Sequence, residues 1–133
     1  MTFKKAKWLI YTVLVGLLPF ISRSFAFLIM KERTIEFLFN EIDWVAFGLI
    51  LHVSNVNELE HIEFSDKAWK TVQNGISIAF IAIYSVIFTA SSIHSINNTL
   101  FDEWTMKVSS IILSCSSFAV SYSIYDRLSK LST

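Results

Sequence analysis

An apolar stretch without any charge runs from Val72 to Ile96 and reads VQNGISIAFIAIYSVIFTASSIHSI. It contains no aspartate, glutamate, lysine or arginine. A transmembrane helix needs about 20 apolar residues, because each residue advances the helix by about 1.5 Å and the hydrocarbon core is about 30 Å thick. The stretch therefore predicts one membrane-spanning helix.

Apolar stretches on both sides of it predict three more spanning helices. The four predicted helices are 8–30, 35–57, 72–96 and 104–126. The second is the weakest, because several acidic residues precede its apolar part. Only helices and closed barrels satisfy their backbone polar groups in lipid, and a barrel needs at least about eight strands. We predict an all-α, polytopic membrane protein with one domain, 1–133, in which four transmembrane helices form a bundle.

The composition favours a lipid environment and argues against several other classes of protein. Hydrophobic residues make up 53% of the 133 residues and charged residues 17%, whereas soluble domains have about 45–50% and about 25%. The eleven basic and eleven acidic residues cancel, so we expect no direct nucleic-acid binding. The single cysteine, Cys115, excludes an intrachain disulfide. The common nucleotide-binding, hydrolase and zinc-protease motifs are missing, so we expect no enzyme activity, no cofactor and no metal.

The placement of lysine and arginine predicts the orientation in the membrane. These residues are enriched in cytoplasmic segments. Seven of them lie in the two terminal tails and the connection between the second and third helices, whereas three lie on the other side. We therefore expect both termini in the cytoplasm. Aromatic anchors are expected at the inner interface (Trp8, Trp69 and Tyr125) and at the outer one (Trp104).

Arg23 is the one charged residue inside the first predicted helix. An unpaired charge in the bilayer costs at least about 2.5 kcal/mol, so a partner is expected. Arg23 and Asp43 lie equally far from the expected turn between the first two helices. We predict an intramembrane ion pair of Arg23 with Asp43, with Glu41 as the competing partner. The pair either fixes the helix register or belongs to a polar switch or path, and a snorkelling arginine is the other interpretation.

The fourth predicted helix carries four serines on one face: Ser110, Ser114, Ser117 and Ser121. Small residues let helices approach closely, and their hydroxyls bond across the contact. We expect a helix-packing face, with an oligomer interface or the wall of a pore as the alternatives. The third helix offers a complementary face of small residues: Gly75, Ala79, Ala82, Ser85 and Ala90. A close pair of the third and fourth helices is therefore expected.

The longest polar segment is 55–70, which we expect in the cytosol. It holds four acidic residues: Glu58, Glu60, Glu63 and Asp66. Negative charge does not favour the anionic inner leaflet, but it can steer a basic protein partner. The segment is either a solvated loop or a docking site for a cytosolic protein. Ser65 is expected to cap the third helix.

The four-helix plan and the stretch 43–60, which begins Asp43-Trp44 and ends with LHVSNVNELE, resemble the membrane subunit of the bacterial Kiwa anti-phage defence system. The resemblance implies a homo-oligomeric inner-membrane sensor that perceives phage attack and acts with a cytosolic, DNA-binding effector. It assigns no functional residue to this chain.

Two other classes of small membrane protein share this architecture. Channels and phage holins permeabilise membranes by assembling, and they predict an oligomer with a polar lumen. Immunity proteins for pore-forming colicins bind the helices of their toxin within the bilayer, and they predict neither a lumen nor a cytosolic partner.

Overall fold

The computed structural model describes residues 3–61 and 66–131, and no strand occurs among them. The all-α prediction is therefore confirmed for these residues. A π-helical turn, Leu9–Val13, joins the first two α-helices. The α-helices are α1 (Phe3–Trp8), α2 (Leu14–Ile29), α3 (Ile35–Leu38), α4 (Glu41–His61), α5 (Lys67–Ile96) and α6 (Glu103–Leu131).

Within the described residues, four helical segments are long and apolar enough to cross a membrane: Lys5–Ile29, Ile35–His61, Lys67–Ile96 and Glu103–Lys130. They overlap the four predicted helices. Large apolar side chains, including those of Val53, Val86 and Ile112, are exposed on their outer surface. Soluble monomers rarely expose continuous apolar surface on this scale. The chain is thus a multi-pass membrane protein by helix length and composition.

The predicted second helix, 35–57, is divided into α3 and α4. The chain leaves α3 after Leu38, and the Asn40 side chain accepts a 3.0 Å hydrogen bond from the Ile42 amide. Asparagine is a favoured cap because its oxygen satisfies an amide that has no partner within the helix. Glu41 and Asp43 fall in the first turn of α4, where the helix dipole favours negative charge. The acidic residues that weakened the prediction therefore mark the start of a helix.

The central helix is α4, which packs against α2, α5 and α6, while α1 packs against α6. Two glycines permit close contacts along it. A Cβ atom at Gly48 would overlap the phenol of Tyr84 on α5, and one at Gly16 would lie 2.8 Å from the Phe47 ring. Both glycines therefore leave room for an aromatic ring of a neighbouring helix.

The first and last helices meet at one end of the molecule. Lys5 Nζ lies 2.9 Å from Asp126 Oδ1, and Arg127 Nη2 donates a 3.3 Å hydrogen bond to Asp66 Oδ2, just before α5. The ends of α1 and α6 and the start of α5 are thus on the same side of the molecule. An even number of spans requires this arrangement.

Two of the aromatic residues expected as interfacial anchors, Trp8 and Tyr125, are buried at this end of the molecule. Trp8 is 2% exposed, and its ring stacks on that of buried Tyr125 with the centroids 5.1 Å apart. The two rings join the N-terminal helix to α6, so they pack inside the protein instead of pointing outward. Trp104, at the opposite end, is 72% exposed and is placed as an interfacial anchor would be.

Candidate functional site

The interior of the molecule is polar to an unusual degree for a membrane protein. Glu41, Asp43, His52 and Asn55 lie on α4 and are all buried. Hydrogen bonds join each of them to a side chain of another helix. We call these four residues and their side-chain partners the α4 polar network. Polar residues inside membrane helices face the interior and mark functional sites by default.

At one end of the network, Arg23 of α2 pairs with Asp43. Arg23 Nε donates to Asp43 Oδ2 at 2.5 Å, and Nη2 donates to Oδ1 at 3.4 Å. The third guanidinium nitrogen, Nη1, donates to the Phe37 carbonyl at 3.3 Å. The structure therefore brings together the two residues that the sequence places at the same depth. A planar guanidinium that meets both carboxylate oxygens fixes the relative orientation of α2 and α4.

Glu41, the competing partner, is bound elsewhere. Its Oε1 accepts a 2.6 Å hydrogen bond from the Ser91 hydroxyl of α5. Glu41 and Asp43 are two residues apart, so they point away from each other on a helix. Asp43 therefore faces α2, whereas Glu41 faces α5.

His52 is the centre of the network. It is fully buried, and its Nδ1 lies 3.1 Å from Ser77 Oγ on α5 while its Nε2 lies 2.8 Å from Ser117 Oγ on α6. Ser117 Oγ also bonds to the Tyr84 hydroxyl. A neutral imidazole has one donor and one acceptor nitrogen, and hydroxyls can complement both. One side chain thus connects three helices.

The sequence gives no signal for this role of His52. In the described residues, no group of three or more His, Cys, Asp or Glu that could hold a metal occurs. The Ser117–His52 contact has the atoms of an activated nucleophile. However, the second ring nitrogen faces the Ser77 hydroxyl rather than an orienting carboxylate, and all three side chains are buried.

The predicted serine face of α6 is a packing face within the chain. Ser114 Oγ donates to the Trp44 carbonyl at 2.6 Å, and Ser121 Oγ accepts from Asn55 Nδ2 at 2.9 Å. Ser110 bonds to the Met106 carbonyl of its own helix. All four serines are buried. The hydroxyls of Ser114, Ser117 and Ser121 therefore bond to groups of α4.

The prediction that this serine face packs against the small-residue face of the third helix is wrong. The small-residue face of the third helix points outward, since its members are exposed or, for Ala90, half-buried. Helix α5 instead buries Ser77, Tyr84 and Ser91, which are spaced seven residues apart. These side chains have hydroxyls that can meet the polar groups of α4, whereas alanine and glycine offer only close approach. Hydrogen bonding thus decides which face is buried.

The described members of the acidic group expected to dock a partner do not form one free surface. Asp66 is the N-cap of α5, where its side chain accepts a hydrogen bond from the Trp69 amide, and it pairs with Arg127. Glu58 is half-buried, and Glu60 is exposed. Glu63 and Ser65 lie outside the described residues. Of the described members, Glu60 alone keeps the expected exposure without a bond that places it elsewhere.

No protein-family model, curated protein or solved structure matches this chain.

Proposed function

We propose that this chain is a non-enzymatic sensor or anchor of a bacterial inner membrane. In this proposal the four helices form a transmembrane bundle with cytoplasmic termini, the chain assembles as a homo-oligomer, and a cytosolic effector of an anti-phage defence system acts with it. The observation that carries the proposal is the α4 polar network, which joins α2, α5 and α6 through one helix.

Such a network suits a protein that changes between two helix arrangements. Hydrogen bonds are directional, so a sliding movement of α4 breaks those at Asp43, His52 and Asn55 together. Buried polar groups without partners are costly in a low dielectric. Intermediate positions of α4 are therefore disfavoured, and a stimulus that perturbs the helices shifts the population between discrete states.

The geometry does not favour the pore alternative. That alternative depends on hydroxyls that face water, and the serine face is covered by α4 in the single chain. The surface left for contacts between copies is mostly apolar. An oligomer built on it would have an apolar seam and not a polar lumen.

A cytosolic effector would meet the end of the molecule that carries both termini. The described acidic residue that is free for this contact is Glu60. Reversal of its charge by Glu60→Lys should abolish recruitment of a basic partner if that partner docks here. The matched control is Glu36→Lys, since Glu36 is equally exposed but lies on α3.

A phage-protection assay tests the function itself. Bacterial cells that express the chain together with its neighbouring genes are challenged with phage, and plaque numbers are compared for the wild type, His52→Phe and His61→Phe. The proposal predicts fewer plaques with the wild type and with the control His61→Phe, whose ring is exposed, and loss of protection with membrane-inserted His52→Phe. Absence of protection by the wild type, or full protection by His52→Phe, would overturn it.

A further inference from the structure

A narrow cleft opens between the N-terminal helix and α4, at the end that carries both termini. Its volume is about 240 Å³, and Lys7 and Glu58 lie on its walls. Neither side chain forms an ion pair or a hydrogen bond with the rest of the described chain. Opposite charges thus line one small cleft without neutralising each other.

The floor of the cleft is a chain of hydroxyl groups. Thr12 Oγ1 lies 3.2 Å from Ser54 Oγ, which lies 2.8 Å from the Tyr125 hydroxyl. A hydroxyl has one donor and two acceptor positions, so these groups can bind a further polar ligand. Trp8 also lines the cleft, and its buried indole N–H has no partner in the described chain.

The cleft continues into an apolar groove. This groove, of about 490 Å³, shares Tyr11, Thr12 and Ser54 with the cleft and then follows Ile50 and Val53 along α4. Tyr11 and Thr12 belong to the π-helical turn. Turns of this kind are rare and lie frequently at functional sites. The π-helical turn therefore lies at the junction of the polar cleft and the apolar groove.

We propose that the cleft and groove bind one phospholipid whose headgroup has a phosphate and a primary ammonium, as in phosphatidylethanolamine. Lys7 faces the phosphate, Glu58 and the free acceptor positions of the hydroxyls face the ammonium, and one acyl chain lies in the groove. The charge pattern selects this ligand, because an anionic headgroup leaves Glu58 without a cation and a quaternary ammonium offers it no N–H donor. The proposal depends on membrane insertion but not on the role in defence.

Native mass spectrometry of the whole protein in detergent tests the proposal. Dissociation constants are measured for dioleoyl-phosphatidylethanolamine, dioleoyl-phosphatidylcholine and dioleoyl-phosphatidylglycerol, and for glycerophosphoethanolamine, which has the headgroup without acyl chains. We expect phosphatidylethanolamine to bind about tenfold more tightly than phosphatidylcholine and phosphatidylglycerol, the ratio that loss of one charge-assisted hydrogen bond produces. Glycerophosphoethanolamine should also bind more weakly, because it has no acyl chain to bury in the groove.

Two variants and two matched controls assign the effect to the cleft. Glu58→Gln should remove the preference for phosphatidylethanolamine over phosphatidylcholine, and Lys7→Gln should weaken binding of both lipids. Glu60→Gln, on the same helix, and Lys31→Gln, at the other end of the molecule, should leave all constants unchanged. Circular dichroism verifies that every variant keeps its helix content.

Three outcomes would overturn the proposal. One is equal binding of the three lipids by the wild type, which indicates a non-selective annular shell. The second is an effect of Glu58→Gln no larger than that of Glu60→Gln. The third is binding of glycerophosphoethanolamine as tight as that of the lipid, which refutes the acyl groove. None of these outcomes depends on phage protection, so failure here is distinct from failure of the proposed sensor role.

Discussion

Replacement of Arg23 by methionine should destabilise the protein strongly. The Asp43 side chain is 7% exposed and that of Arg23 is 24% exposed. Arg23→Met therefore leaves a carboxylate that neither water nor a cation can reach easily. Removal of one partner from a buried ion pair costs about 3–5 kcal/mol, because the remaining charge is uncompensated.

Asp43→Leu and the double variant measure the coupling free energy between Arg23 and Asp43. Asp43→Leu leaves the less buried Arg23, which keeps its bond to the Phe37 carbonyl, so the expected cost is smaller, about 2.5 kcal/mol. The double variant removes both charges, and replacement of a buried pair by apolar residues is often neutral. The double variant should therefore be more stable than Arg23→Met alone, with a coupling free energy of several kcal/mol.

The assay is unfolding in mixed micelles by increasing fractions of dodecyl sulfate, followed by circular dichroism. Free energies of unfolding are compared for the wild type, both single variants, the double variant and Arg33→Met. Arg33 is exposed, and among the described residues its side chain bonds only to the Leu28 carbonyl, so its replacement is the control. The reasoning is refuted if Arg23→Met costs no more than Arg33→Met, or if the two single effects simply add.

Three further predictions use the same measurement. Gly48→Ala should lower the free energy of unfolding by about 1–3 kcal/mol, because the added Cβ overlaps the Tyr84 ring. Gly75→Ala is the control, since nothing lies within 4 Å of its added Cβ, and it should be neutral or stabilising by up to about 1 kcal/mol. Equal effects of the two substitutions would contradict the α4–α5 packing. His52→Phe should cost about 1–3 kcal/mol by leaving the Ser77 hydroxyl without its partner, and an effect as small as that of His61→Phe would count against the network. Asp66→Ala should cost about 1 kcal/mol through loss of the cap on α5, and no loss would show that the cap is dispensable.

The spans and the Arg23–Asp43 contact were accessible from the sequence because each depends on one strong physical constraint. Uncharged stretches long enough to cross lipid have few alternatives to a helix. An arginine inside such a stretch needs a partner, and the hairpin geometry leaves only residues at the same depth. The helical spacing of the four serines predicts that they share one face, and helix packing was the first of its three interpretations.

The sequence does not show which helix each buried polar side chain contacts. The spacing of Ser114 and Ser121 indicates a face but not the helix that it meets, which depends on where His52 and Asn55 point after α4 is formed. The break at Asn40 was missed because the acidic residues beside it were interpreted as weak points of a span and not as the first turn of a helix. The π turn at Leu9–Val13 has no marker of composition, since its residues are ordinary for a membrane helix.

Labelling of single-cysteine variants from the two sides of the membrane tests whether the chain crosses it four times with both termini in the cytoplasm. In a Cys115→Ser background, Asn98→Cys lies in the connection between α5 and α6, and Glu60→Cys lies near the end of α4. Intact cells are treated with a membrane-impermeant maleimide before and after permeabilisation. Four spans with cytoplasmic termini predict labelling of Asn98→Cys in intact cells and of Glu60→Cys only after permeabilisation. Labelling of both from the same side, or release of the protein from membranes by alkaline carbonate, would contradict it.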